Sequence, residues 1–212
     1  MNRPRPANGI RLERGVDRMP GAVFLADERV ELRTIESEDV ETVRRWMNHP
    51  DIRRYIDEFR FPTSRTEYEE WADDGISSGR VDLLVCADGD PVGRVRLVPL
   101  EEPRGWANLG FVIGPDHWHN GYATAATELL VEYAFTELRL HRLEGRALAP
   151  NEGSRRVLDR LGFVREGRRR EVSVVDGEYV DEVCYGLLRT EWETAVEDSP
   201  GTDSSHRESV GT

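Results

Sequence analysis

The stretch 109–127, LGFVIGPDHWHNGYATAAT, constrains what this chain can fold into more than any other. Leu109, Phe111, Val112 and Ile113 read as an apolar strand, Gly114-Pro115-Asp116 stops it, and the loop that follows turns on Gly121. From Ala123 the residues are mostly Ala, Thr, Glu and Leu, which favour helix. A strand that passes through a tight loop into a helix aims several unpaired backbone N–H groups, and the positive end of the helix dipole, at one spot. That spot suits a phosphate. No carboxylate lies between Trp118 and Thr127 to repel one.

The remaining residues fall into order around that stretch. The 212 residues suffice for one domain with tails, and for a core that needs no metal or disulfide staple. Residues 1–21 mix Arg, Pro and Gly with little to bury and read as a flexible arm. Val23, Phe24 and Leu25 open the structured part, and Val30, Leu32 and Ile35 alternate with charged residues as a half-buried strand does. Val40, Val43, Trp46 and Met47 recur at helical spacing, and Asn48-His49-Pro50 ends that helix. A short second helix carries Ile52, Tyr55 and Ile56, and a third is expected over 66–75.

The period then changes from helical to extended. Residues 81–87, 92–100 and 106–113 read as strands whose connections are short enough to demand an antiparallel meander. Ala126, Leu130, Ala134 and Leu138 line one face of the long helix. That crossover lets the next strand, 141–148, run parallel to its predecessor. Asn151 is placed to cap a helix bearing Val157, Leu158 and Leu161, with Gly162 after it, and Asp176-Gly177 turns a last hairpin. From 193 the chain is rich in Ser, Asp and Glu and reads as a disordered tail. The expected fold is one α/β domain over 22–192, with a mixed, mostly antiparallel sheet, a central parallel pair and flanking helices.

Composition narrows the function. A net charge of −12 argues against a broad nucleic-acid surface. All 29 of the Lys+Arg residues are Arg, which GC-rich codon usage and adaptation to salt explain equally well; neither bears on catalysis. Cys86 and Cys184 sit far apart in apolar runs and read as small buried hydrophobes rather than a redox or metal pair. No apolar run is long enough to span a membrane, and no signal-peptide pattern precedes the domain, so a cytoplasmic protein is expected.

The element order, with residues 109–127 and 151–163, resembles the GCN5-related N-acetyltransferase (GNAT) superfamily. That family's acetyl-CoA signature runs Arg or Gln, two residues, Gly, one residue, then Gly or Ala; here it falls on Trp118, Gly121 and Ala123. Trp in the first position is similar to the branch that acetylates ribosomal-protein N-termini, the RimJ/RimL-type enzymes. Trp46-Met47-Asn48-His49-Pro50-Asp51-Ile52 resembles that branch's Trp-x-Asn-x-Pro segment, and Asn151-Glu152-Gly153-Ser154 running into Leu161-Gly162-Phe163 resembles its Asn-x-x-Ser…Leu-Gly-Phe segment. The resemblance covers about 24–188.

The resemblance implies that the parallel strands splay and that the pantetheine arm of acetyl-CoA enters the gap, pairing with backbone groups of Phe111, Val112 and Ile113. The loop Trp118, His119, Asn120, Gly121, Tyr122, Ala123 and Thr124 would then hold the pyrophosphate, chiefly through N–H groups. A well-placed neutral amine attacks the thioester directly in a ternary complex, with the Val112 N–H as donor to the oxyanion. Many members protonate the leaving thiolate with a Tyr where this chain has Leu158; Ser154 is the replacement that the branch implies, and Asn151 binds the cofactor arm. By their own spacing, Asn151 reads equally as a helix cap and Ser154 as an ordinary first-turn residue.

The general base is open among His49, Glu58, Asp181 and a water chain. His117 and His119 lack further ligands, so no metal is expected. The implied partners are acetyl-CoA and a primary amine, a protein N-terminus first and a small amine second. They act on a monomer or homodimer, without nucleic acid or membrane. A CoA-binding regulatory module without turnover is the alternative.

Overall fold

The computed structural model describes residues 21–56, 61–67, 79–101 and 104–198. The alternating segment after Val23 forms two short strands, β1 (Val23–Ala26) and β2 (Glu31–Thr34), followed by helices α1 (Val40–Met47) and α2 (Pro50–Arg53). Three strands then form the meander: β3 (Val81–Ala87), β4 (Asp90–Glu101) and β5 (Trp106–Ile113). A 3₁₀ turn, Pro115–His117, leads into α3 (Tyr122–Thr136), which crosses over to β6 (Arg142–Leu148). Helix α4 (Glu152–Arg160), the hairpin β7 (Val164–Val175) and β8 (Glu178–Leu188), and α5 (Arg189–Glu197) complete the order.

The eight strands make one sheet in the order β1-β2-β3-β4-β5-β6-β8-β7. Every pairing is antiparallel except β5 with β6. The meander and the single parallel pair therefore match the expectation from connection lengths. Strand β3 is apolar on both faces because both are covered. Leu83, Val85 and Ala87 join the main core under α3, whereas Leu84 and Cys86 meet Val40, Val43 and Met47 of α1 on the opposite face. Burial pushes the Cys86 thiol up to about 12, which leaves it an inert hydrophobe. Cys184 is half-buried, less enclosed than its apolar setting implies, and both cysteines are free.

Helix α3 packs through Ala125, Ala126, Leu130, Val131, Ala134 and Phe135, all buried. The Asp176-Gly177 turn has both residues at positive φ (52° and 87°), as a two-residue hairpin turn requires. Helix α5 ends at Glu197, and its Trp192 stacks on Phe135 at 5.5 Å between ring centres. Residues 1–20 and 199–212, most of the helix expected over 66–75, and Glu58 lie outside the described residues.

Candidate active site

The parallel pairing of β5 and β6 is brief. It aligns Trp106 with Arg142, Ala107 with Leu143 and Asn108 with Glu144, and then stops, although β5 continues to Ile113 and β6 to Leu148. The two strands run apart and leave a cleft of about 1260 Å³. One wall is Leu109 to Ile113, and the other is Arg146 to Leu148 with Asn151 and Ser154. The loop and first turn of α3 close one end, and Met47, Ile52, Tyr55 and Ile56 cover it from α1 and α2.

Strand phase decides which backbone groups face that gap. Gly114 donates its N–H to the Val92 carbonyl at 2.9 Å. Given the β4–β5 register, Gly110, Val112 and Gly114 direct their N–H and C=O groups to β4, while Leu109, Phe111 and Ile113 turn theirs toward the gap. This corrects the assignment of Val112 as oxyanion donor and as a backbone partner of the cofactor. Its N–H already serves Arg94 in the ladder, and only its side chain lines the cleft. The Ile113 carbonyl is also engaged, accepting the Trp118 indole N–H at 2.7 Å. Trp118 thereby clasps the loop to the end of the strand.

The loop itself is rich in free donors. Gly121 has φ 79° at the N-cap of α3, a conformation that costs an L-residue roughly 1–2 kcal/mol. The preceding His119 is also left-handed, at φ 65°. The first intrahelical bond is Ala125 N–H to Gly121 C=O. Among the described residues, none of the N–H groups of His119, Asn120, Gly121, Tyr122, Ala123 and Thr124 has an acceptor. Asn120 turns its side-chain amide back onto the His117 and Trp118 carbonyls, so it shapes the loop. Arg29, from the β1–β2 turn, reaches across and donates to the Gly121 carbonyl at 3.0 Å. It was invisible in the sequence as one arginine among many with no local pattern.

Asn151 caps α4, its Oδ1 accepting from Ser154 N–H at 3.1 Å, which leaves the amide donors of Asn151 uncommitted. Ser154 is half-buried on the cleft wall, and its hydroxyl has no protein partner among the described residues. Leu158 is buried and packs over Gly145, where a Cβ would come within 2.8 Å of Leu158 Cδ2. The position where the resemblance implies a Tyr in many members therefore serves the core here.

The motif before Pro50 serves the cleft's cover. Gly114 lets the Trp46 indole approach so closely that a Cβ would lie 2.6 Å from Nε1. Asn48 bonds both ways to Thr63, at 3.1 Å each. His49 caps α2 by accepting from Asp51 N–H at 3.3 Å and does not line the cleft, which removes it as base. Asp181 is removed likewise. Its Oδ1 accepts from Glu171 N–H at 2.9 Å and its Oδ2 pairs with Arg168 at 2.5 Å, so it stitches a bulge in β7.

Charged residues that the sequence did not single out also line the cleft. Arg94 is 3% exposed and forms a bidentate pair with Asp82 at 2.5 Å, so its buried charge is answered. Arg96 lies along Gly110, where a Cβ would meet its Nε at 3.0 Å. Asn108, Arg146 and Glu182 complete the floor. Among the described residues, no group of three or more His, Cys, Asp or Glu is placed to hold a metal. No described helix is long and apolar enough to cross a membrane.

Comparison with known proteins agrees with this geometry. The family described as acetyltransferase (GNAT) domain matches residues 29–164. YdaF of Bacillus subtilis, whose name assigns it provisionally to ribosomal N-acetylation, is 30% identical over 79% of this chain and 95% of its own. The spermidine N(1)-acetyltransferase of Escherichia coli K12 is 30% identical over 81% of this chain and 92% of its own. The spermidine N-acetyltransferase of Vibrio cholerae, solved with CoA and spermine, superposes with a TM-score of 0.72 at 25% identity, covering 79% of this chain and 99% of that one. The chain belongs to the GNAT family and is an N-acetyltransferase.

Proposed function

We propose that this enzyme moves an acetyl group from acetyl-CoA to a primary amine by direct attack in a ternary complex. A protein N-terminus is the first acceptor class, as in RimJ/RimL-type enzymes, and a small amine the second. The observation that carries this reading is the gap beyond Asn108 and Glu144, where an unpaired strand edge ends at a loop of unpartnered N–H groups. An extended arm with two amides fits the edge, and a pyrophosphate fits the loop. Arg29 adds a cation at the positive end of α3, a placement that an anion makes favourable.

Along the edge, the Phe111 N–H takes the role first read for Val112, donating to the thioester oxygen as it gains charge. Ser154 protonates the departing thiolate, and the Asn151 amide holds the arm. The Trp118 clasp and the YdaF relationship support the N-terminal branch, while the spermidine enzymes support the small-amine alternative. The reaction is one of the cytoplasm, on a monomer or homodimer.

Isothermal titration with acetyl-CoA, combined with thiol release over a panel of N-terminally free peptides and small amines, tests the reading. Micromolar binding and release with at least one acceptor are expected. Binding without release on any of them favours a regulatory module; no binding overturns both.

A further inference from the structure

The cleft needs a group that takes a proton from the incoming ammonium, and strand alternation selects it. Neighbouring residues of β8 face opposite sides of the sheet. Asp181 points to the face where Arg168 and the β7 bulge occupy both its oxygens. Glu182 points the other way, in register with Leu148 at the end of β6, and lines the cleft. The next turn of chain beyond Leu148 carries Asn151 and Ser154.

The carboxylate is only 17% exposed and is anchored through one oxygen, Oε2, by Arg169 at 2.8 Å. Its Oε1 has no hydrogen-bond partner among the described residues. The charged groups that flank it or share the cleft lining are Arg169 from β7, Arg146 and Glu144 from β6, Asp51 from α2, Arg94 and Arg96 from β4, and Glu152, Arg156 and Arg160 from α4. The other described carboxylates of the cleft lining, Asp51 and Glu152, stand at its rim, 54% and 70% exposed, and Glu152 is paired with Arg156.

We propose that Glu182 receives the acceptor's ammonium group and takes its proton. This rests on the acetyl-transfer reading above. The ammonium gives one proton to Glu182 Oε1, and the freed nitrogen pair forms the C–N bond at the thioester carbon. The C–S bond then breaks, the thiolate takes the Ser154 hydroxyl proton, and the second amine proton restores Ser154. Glu182 returns its proton to solvent. Arg169 is a positioning residue, holding one oxygen so that the other faces the acceptor.

The test compares wild type with Glu182→Gln, using acetyl-CoA and either of two probes, an N-terminally free hexapeptide or spermidine. Gln keeps the size and still accepts from Arg169, so melting temperature and acetyl-CoA affinity are expected to stay within about twofold. Turnover at pH 6.5 is expected to fall about 100-fold. The deficit should shrink as pH approaches the amine's own pKa, about 8 for a peptide α-amino group and about 10 for an alkylamine. Glu182→Asp should recover part of the rate. A rate within twofold of wild type, a deficit constant across pH, or an equal loss of acetyl-CoA affinity overturns the proposal. Wild-type turnover with neither probe overturns the acetyl-transfer reading and this inference with it.

Discussion

Arg54 at the end of α2 forms an ion pair with Asp176 at the tip of the last hairpin, 122 residues away in sequence. The Arg54 guanidinium also lies 5.2 Å from the ring centre of Tyr55, which lines the cleft. The helices that cover the cleft and the Asp176-Gly177 hairpin are thereby joined, on the side of the cleft where an acceptor would enter. The cofactor loop lies on other elements.

Arg54→Ala is therefore expected to raise the acceptor KM several-fold while leaving the acetyl-CoA Kd unchanged. The pair is exposed, so the stability change should stay below about 1 kcal/mol. Steady-state kinetics with each substrate varied in turn separates the two effects. An acetyl-CoA Kd that moves in parallel with the acceptor KM contradicts the division of labour.

Gly121→Glu is expected to weaken acetyl-CoA binding at least 100-fold with the fold retained. Three effects add: the positive φ, a Cβ placed 2.6 Å from Arg29 Nη2, and a carboxylate beside the phosphate position. Circular dichroism with isothermal titration checks both halves of the statement. Unchanged affinity rules out this loop as the pyrophosphate site.

Ser154→Ala is expected to lower kcat by one to two orders of magnitude and change acetyl-CoA affinity less than threefold. Asn151→Ala removes the α4 cap as well, so it should also cost about 1 kcal/mol of stability. Denaturant unfolding beside kinetics distinguishes the chemical residue from the capping one.

The acid side of the stability profile should depend on Glu166. Its hydrogen bonds to the Arg142 guanidinium hold its carboxyl below the usual carboxylate range. A lowered native pKa contributes stability above the unfolded value, about 4.3, and that contribution is lost as pH falls through the native value. Glu166→Gln should therefore flatten the loss of stability below about pH 4.3. The effect is bounded at about 1 kcal/mol by the exposure of the pair. Melting temperatures at pH 7 and pH 3.5 provide the measurement.

Much of the site was legible because it depends on local chemistry. Gly121 marked the loop, Asn151 marked a helix start, and the period change at Val81 marked the meander, each through a preference expressed over a few residues. The errors arose where a partner strand sets the outcome. Val112 and Phe111 are equally apolar neighbours, and only the pairing of Gly114 with Val92 reveals which one's N–H faces the gap. Asp181 and Glu182 are adjacent carboxylates, and only the register against Leu148 and the β7 bulge separates the structural one from the cleft one.

The sequence by itself determined the element types, their order, the antiparallel meander and the loop at Gly121, since periodicity, turn chemistry and connection length act over short distances. The tertiary structure decided where β5 and β6 part and which backbone edge lines their gap. It also decided that Arg29 meets the loop and that Arg54 meets Asp176. Those outcomes depend on strand phase and on side chains brought together across the fold, and a strand displaced by one residue would reverse every facing while leaving the local pattern unchanged.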